Sequence, residues 1–145
     1  MPLTGGIELG LVMLIEQRLA ALNPPVQVPG GFFVELPKDL VSPKTPQAWA
    51  YRGIVDAPGY VLAGDSGFME WQVQIDCHGN AAADAIALAR AIKSVLRGGF
   101  TGNLPDPEET FVYGIFRLSP AVDGFSDASR TYVRSLEYSV QYLQV

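Results

Sequence analysis

One cysteine and one histidine are all that this chain of 145 residues carries of those two types. A lone cysteine excludes an intrachain disulfide and implies no particular redox compartment. A lone histidine leaves too few ligands for a Cys/His zinc site. Charge is also scarce, at 17% of residues, and basic charge scarcest: 10 Lys and Arg stand against 15 Asp and Glu, for a net charge of −5. That balance argues against a whole-molecule binder of nucleic-acid phosphate. Long apolar runs are missing too. The longest candidate, residues 7–22, is interrupted by Glu8, Glu16, Gln17 and Arg18 and has no basic start, so it reads neither as a membrane span nor as a signal peptide. Synthesis in the cytoplasm and no membrane partner are expected.

What is present is apolar. Hydrophobic residues make up 48% of the chain, and its length suits one domain, residues 1–145, with a real core. So little charge implies either a large core or a surface covered by a partner. The chain is organised around the stretch from Met69 to Cys77. Met69, Trp71, Val73, Ile75 and Cys77 alternate with Glu70, Gln72, Gln74 and Asp76, the pattern of a strand with one dry and one wet face. His78-Gly79-Asn80 is read as the break, with Asn80 capping a helix over residues 81–97. Ala85, Leu88, Ala89, Ile92, Val95 and Leu96 form one stripe on that helix, and Gly98-Gly99 ends it.

Earlier in the chain, Thr4 is a possible cap for a helix over residues 7–22 that stops at Asn23-Pro24-Pro25. Leu9 and Met13 fall on a different side of it from Leu11 and Leu14. A helix apolar nearly all round is buried on more than one side, by its own core or by another subunit. Residues 32–36 read as a short strand and Pro37 to Pro46 as a loop of the functional or mobile kind. Residues 47–56 read as a strand with Trp49 and Tyr51 on one face and Arg52 on the other. Ala57-Pro58-Gly59 and Gly64-Asp65-Ser66-Gly67 read as turns. After the organising helix come a proline-containing acidic loop over residues 101–109 and an apolar strand over 110–118, expected to be buried on nearly both faces. A polar connection over 120–129 leads to a long closing strand from Thr131, with Tyr132, Leu136, Tyr138, Val140 and Tyr142 on one side. Together these predict an α+β domain: a mostly antiparallel sheet of about four to five strands with two helices on one face.

The search for chemistry finds little equipment. Cys77 and His78 are neighbours on a strand and point apart, so they cannot pair as nucleophile and base. Asp106, Glu108 and Glu109 cluster in one loop but lack EF-hand spacing. Asp76 and Asp84 show no mark of an acid–base pair. Ser66 lacks a nucleophile-elbow setting. The glycine pairs are not followed by the Gly-Lys-Ser/Thr of a phosphate loop. No enzyme activity and no cofactor are therefore expected.

The layout resembles the tail terminator, or tail completion, proteins of long-tailed bacteriophages and prophages. The resemblance rests on the N-terminal helix with its proline stop and on residues 49–54. It also rests on Trp71 to Gly79 running into Ala85 to Ile92, and on the closing segment from Tyr132 to Tyr138. The loop from Pro37 to Pro46 lies outside it. The resemblance implies a virion protein of the head–tail junction that forms a homo-oligomeric ring, typically a hexamer. Such a ring caps the tail tube, meets a head completion or neck protein, and lets genomic DNA pass without specific binding. On that basis Leu9, Met13, Tyr138 and Tyr142 are candidate interface residues, and Asp106, Glu108 and Glu109 candidates for the channel or its rim. Alternatives are a small-ligand binding module with a helix-over-sheet pocket, or a neck or head completion protein.

Overall fold

The computed structural model describes residues 6–61, 64–97 and 100–143, with the backbone alone described for 55–61 and 64–68. The expected Thr4 cap and the Gly98-Gly99 stop lie outside these residues. The elements in order are α1 (Gly6–Ala20), β1 (Phe32–Phe33), β2 (Gln47–Val61), β3 (Gly64–Gly79), α2 (Ala82–Val95), β4 (Gly102–Asn103), β5 (Phe111–Arg117), β6 (Val122–Ser126) and β7 (Thr131–Leu143). The fold is α+β with a mixed sheet of seven strands, more than the four to five expected. The order is β1-β2-β3-β7-β5-β4, and β6 also pairs with β7.

Four long tracks explain the difference. β2, β3 and β7 are three of them, paired antiparallel. β5 and β6 together make the fourth. Both run antiparallel to β7, β5 along its C-terminal half and β6 along its N-terminal half. The break between them, around Ser119-Pro120, is a place where proline cannot donate to the ladder. The segment from 120 to 129 is thus partly a strand rather than a plain connection. β1 and β4 are two-residue edges, too short for any periodic signal, and β1 is the one parallel partner among the described residues. The short strand expected over 32–36 ends at Phe33, because Val34 adopts a positive φ of 68° and turns the chain away.

β3 carries the strict alternation onward through His78 to Gly79, so these residues do not break it. The two glycine clusters read as turns are strand as well: residues 57–59 lie in β2 and 64–67 in β3, with register shifts at Gly53/Val55 and Pro58/Tyr60. At the start of α2 the cap position is Ala81, not Asn80. Ala81 has extended backbone, and the Asp84 carboxylate reaches back to accept from its amide at 3.1 Å. The expected stripe is buried along α2, which lies on β3, β7 and β2. Trp71, Val73, Ile75 and Cys77 join Leu88, Ile92 and Val95 in one core cluster.

α1 packs on α2. Arg18 donates to the Val95 carbonyl at 2.7 Å and lies over the Phe100 ring at 5.0 Å, so its charge sits at the negative end of α2. Leu11, Val12, Leu14, Ile15 and Leu19 are buried, whereas Leu9 and Met13 are only half-buried. β5 is not buried on both faces: Val112 and Ile115 face the core, and Tyr113 and Phe116 are exposed. Tyr132 is exposed too, stacked edge-on against Phe125 of the neighbouring strand. Among the described residues no helix is long and apolar enough to cross a membrane.

Candidate functional site

The face of β3 turned away from α2 was expected to be wet. Near its end it is not. Gln74, Asp76 and His78 alternate with core residues and so point to the opposite side. Register places Arg52 of β2 opposite Gln74, and Ser135 of β7 opposite Asp76. These side chains floor a cleft of about 660 Å³, within the range of small-molecule sites. Val34, Glu35, Leu36 and Lys38 form one wall. The other is β6 with Ala128 and Ser129 of the turn behind it. The polar stretch from Pro37 to Pro46 contributes by its docking: the Asn80 amide donates to the Pro46 carbonyl at 2.8 Å.

Asp76 is 5% exposed. One of its oxygens accepts from Gln74 Nε2 at 2.8 Å and from Ser135 Oγ at 2.6 Å, and the other from Arg52 Nη2 at 3.3 Å. A buried carboxylate is tolerated only when paired and hydrogen-bonded in this way. The pairing in turn plants Arg52 at the cleft edge. Its side chain is 48% exposed, and its remaining N–H donors are open to a ligand. Lys38 has no ion-pair partner among the described residues. Asp123 of β6 turns to the opposite face of the sheet, where Arg134, its register partner, clasps it through two bonds of 2.7 and 2.9 Å. That clasp holds the Asp123 carboxyl below its usual pKa range.

His78 lies within the strand, 6% exposed, rather than in a turn. Its Nδ1 is 2.7 Å from Thr131 Oγ1, which is 2.7 Å from Ser129 Oγ. Its Nε2 is buried without a partner. A proton on Nδ1, donated to Thr131, leaves only a lone pair at Nε2 and avoids burying an unpaired N–H. Burial lowers the His78 pKa; Asp76 opposes this and Arg52 adds to it. The imidazole is therefore held neutral. The hydroxyl nearest to it belongs to Thr131, which is itself buried, so this chain of groups positions the turn rather than attacking a substrate.

The residues singled out from sequence are scattered. Cys77 faces the core, where burial pushes its thiol pKa up. Asp106 is 2% exposed and accepts from the Thr110 amide and hydroxyl, so it is not part of a solvated acidic loop and does not line a channel. Glu108 and Glu109 beside it are exposed. Tyr138 and Tyr142 lie in the chain's own core, which corrects their assignment to an outer interface; only Leu9 and Met13 of that set retain open surface. The space between α2 and the sheet is filled by core side chains, so this cleft lies on the opposite face from a helix-over-sheet pocket. Arg52, Lys38 and Ser135 were not legible as a site. The available signal was the Gln74-x-Asp76-x-His78 alternation, an unusual trio for a solvated strand face. No model of a known protein family matches the chain, and no curated protein matches it.

Proposed function

We propose that the chain is a ring-forming structural subunit of the phage tail-terminator kind, closing the tail tube and offering the joining surface to the neck. One observation supports this most: the distal β2–β3 hairpin. Before Phe68, β3 pairs only with β2 among the described residues, and beyond Tyr51 no strand covers the outer edge of β2. A two-stranded ribbon is marginal by itself, and free edges invite pairing. Exposed Val122 and Phe116, on the face of the sheet turned away from α2, add apolar surface for a neighbour to cover. Complementary patches at different places on one subunit generate closed rings when the rotation closes.

In this reading the protein is made in the bacterial cytoplasm and ends in the virion at the head–tail junction, with no catalytic role. Half-exposed Leu9 and Met13 lie at the subunit contact, and Glu108 and Glu109 are the acids left to line the channel rim. Light scattering on the purified protein, followed by electron microscopy of the particles, tests it: rings, or capping of added tail tubes, support the reading. A monomer at all concentrations, with or without tubes, rejects it. Binding to a head completion protein but not to tubes would favour the neck reading. The cleft supports a second reading, a small-ligand binding module, for which a metabolite-dependent rise in melting temperature is the signature.

A further inference from the structure

Among the described residues, large exposed apolar side chains keep to the two opposite edges of the sheet. Phe33, Val34 and Ile54 stand at the β1–β2 edge. Tyr113, Phe116, Leu118, Val122 and Phe125 stand along the β5–β6 edge, and Tyr132 stacks on Phe125. Neither helix carries one, nor do the described side chains of β3. Both edges also have open backbone. Among the described residues, β2 beyond Tyr51 pairs only with β3, while β5 beyond Val112 and the whole of β6 pair only with β7. Resting on the ring reading above, we infer that the β5–β6 edge of one copy pairs with the open edge of β2 in the next, so that one sheet runs from subunit to subunit around the ring.

Three observations select this pairing. The first is strand direction. β2, β3, β7 and the β5–β6 track alternate in direction, so β2 and β5–β6 run opposite ways. A neighbour in the same orientation therefore sets its β2 antiparallel to β5–β6, and the ladder continues in the pairing that is the more stable per residue. Two different edges meet, so the contact is head-to-tail and propagates; a two-fold pair of β5–β6 edges would leave the β2 edge bare. The second is area. On the face turned away from α2, Phe116, Leu118 and Val122 form one stripe beside Ser139, Glu137 and Ser135 of β7. An aromatic side chain buries about 150–250 Å² when fully covered, so at half exposure the β5–β6 edge leaves on the order of 500 Å² of apolar surface. That is a large part of the roughly 800 Å² that each partner of a stable complex covers. The third is the lack of protection. Natural edges avoid pairing with lysine, proline and unpaired charge. No lysine falls between residues 113 and 126, and Pro120 sits in the break, outside both strands. The two charges there are engaged: Arg117 donates to the Ser119 carbonyl at 3.1 Å, and Asp123 is clasped by Arg134.

The test is sedimentation of variants with one edge blocked, since lysine on an edge strand prevents pairing. The double variant Phe116→Lys with Val122→Lys blocks the β5–β6 edge, and Ile54→Lys blocks the β2 edge. All three side chains are exposed, so both proteins are expected to fold with the wild-type circular dichroism spectrum. Each alone is expected to assemble about ten-fold more weakly than wild type, or worse, because the contact buries an unpaired ammonium. Mixed, the two are expected to form a one-to-one heterodimer and nothing larger, through the one good edge that each retains. Assembly of both variants as in wild type, or a mixture that stays monomeric, overturns the edge pairing and leaves the ring reading standing. Dimers of Ile54→Lys alone, unchanged by mixing, overturn it in favour of a two-fold β5–β6 pair. Open chains of wild type in place of closed rings, with heterodimers from the mixture, keep the edge pairing and reject the ring. A wild-type chain that stays monomeric at every concentration rejects both.

Discussion

The Asp106 carboxylate holds Thr110 twice, accepting from its amide at 3.1 Å and from its hydroxyl at 3.0 Å. The Glu109 amide donates to the Asp106 carbonyl as well, at 2.9 Å, which winds the acidic loop into a closed turn against Gly10 of α1. Asp106→Ala leaves the Thr110 amide unsatisfied in a buried place and should destabilise by about 1–3 kcal/mol. Glu108→Lys and Glu109→Lys, at exposed positions, should stay within about 0.5 kcal/mol of wild type. Urea titration of the three variants checks this; equal losses would mean that the loop is held by something other than Asp106.

Gly10 and Gly124 make a matched pair. A Cβ on Gly10 would lie 2.7 Å from Leu104 Cδ1 and 2.9 Å from Asp106 Oδ1, whereas one on Gly124 would meet nothing within 4 Å. Gly10→Ala gains about 1 kcal/mol of helix propensity, yet it should still lower the melting temperature because the acidic loop must shift. Gly124→Ala should be neutral or slightly stabilising. A thermal scan in which Gly10→Ala melts higher than wild type would show that the loop yields freely.

Ile92 is fully buried between α2 and the strand face of Trp71 and Ile75. Ile92→Ala should cost about 2–5 kcal/mol, and Arg90→Ala, exposed on the other side of the helix, less than about 0.5 kcal/mol. Similar losses for both in a denaturant titration would contradict the packing of α2.

Stability should fall on both sides of a neutral plateau. His78 has a folded pKa lowered from 6.5 by burial, so it contributes stability above that value and loses it as pH falls, when the unfolded chain takes up the proton first. Tyr51 and Tyr138 are pushed up from 10.0 to about 12, chiefly by burial, and Cys77 is raised from 9.0 for the same reason. Their contribution is present below the unfolded values and is lost progressively above about pH 9. Melting temperature against pH tests this, and His78→Asn should flatten the acid limb. A thiol reagent should label native Cys77 slowly, since the thiolate is disfavoured and the residue is buried. Fast labelling, or an unchanged acid limb in His78→Asn, would contradict the burial described.

Local periodicity in the sequence was enough to determine the alternation over residues 69–77 of β3, the buried stripe of α2, and the burial of Cys77, Ile75 and Ile92. Each of these is a repeat of two or of three to four residues within one element, and the hydrophobic effect acts on that repeat whatever lies elsewhere in the chain. Tertiary structure alone decided the rest. Val122 to Ser126 became a strand because β7 offered a free ladder, although its own residues alternate weakly. Tyr138 and Tyr142 went inward because β3 and β5 flank them. Asp106 was drawn under α1 by Thr110 and by the room left at Gly10. Arg52, Asp76 and Ser135 became one network because strands 24 and 59 residues apart in sequence are paired there. Such pairings depend on which edges meet, and no periodicity within a single segment encodes that choice.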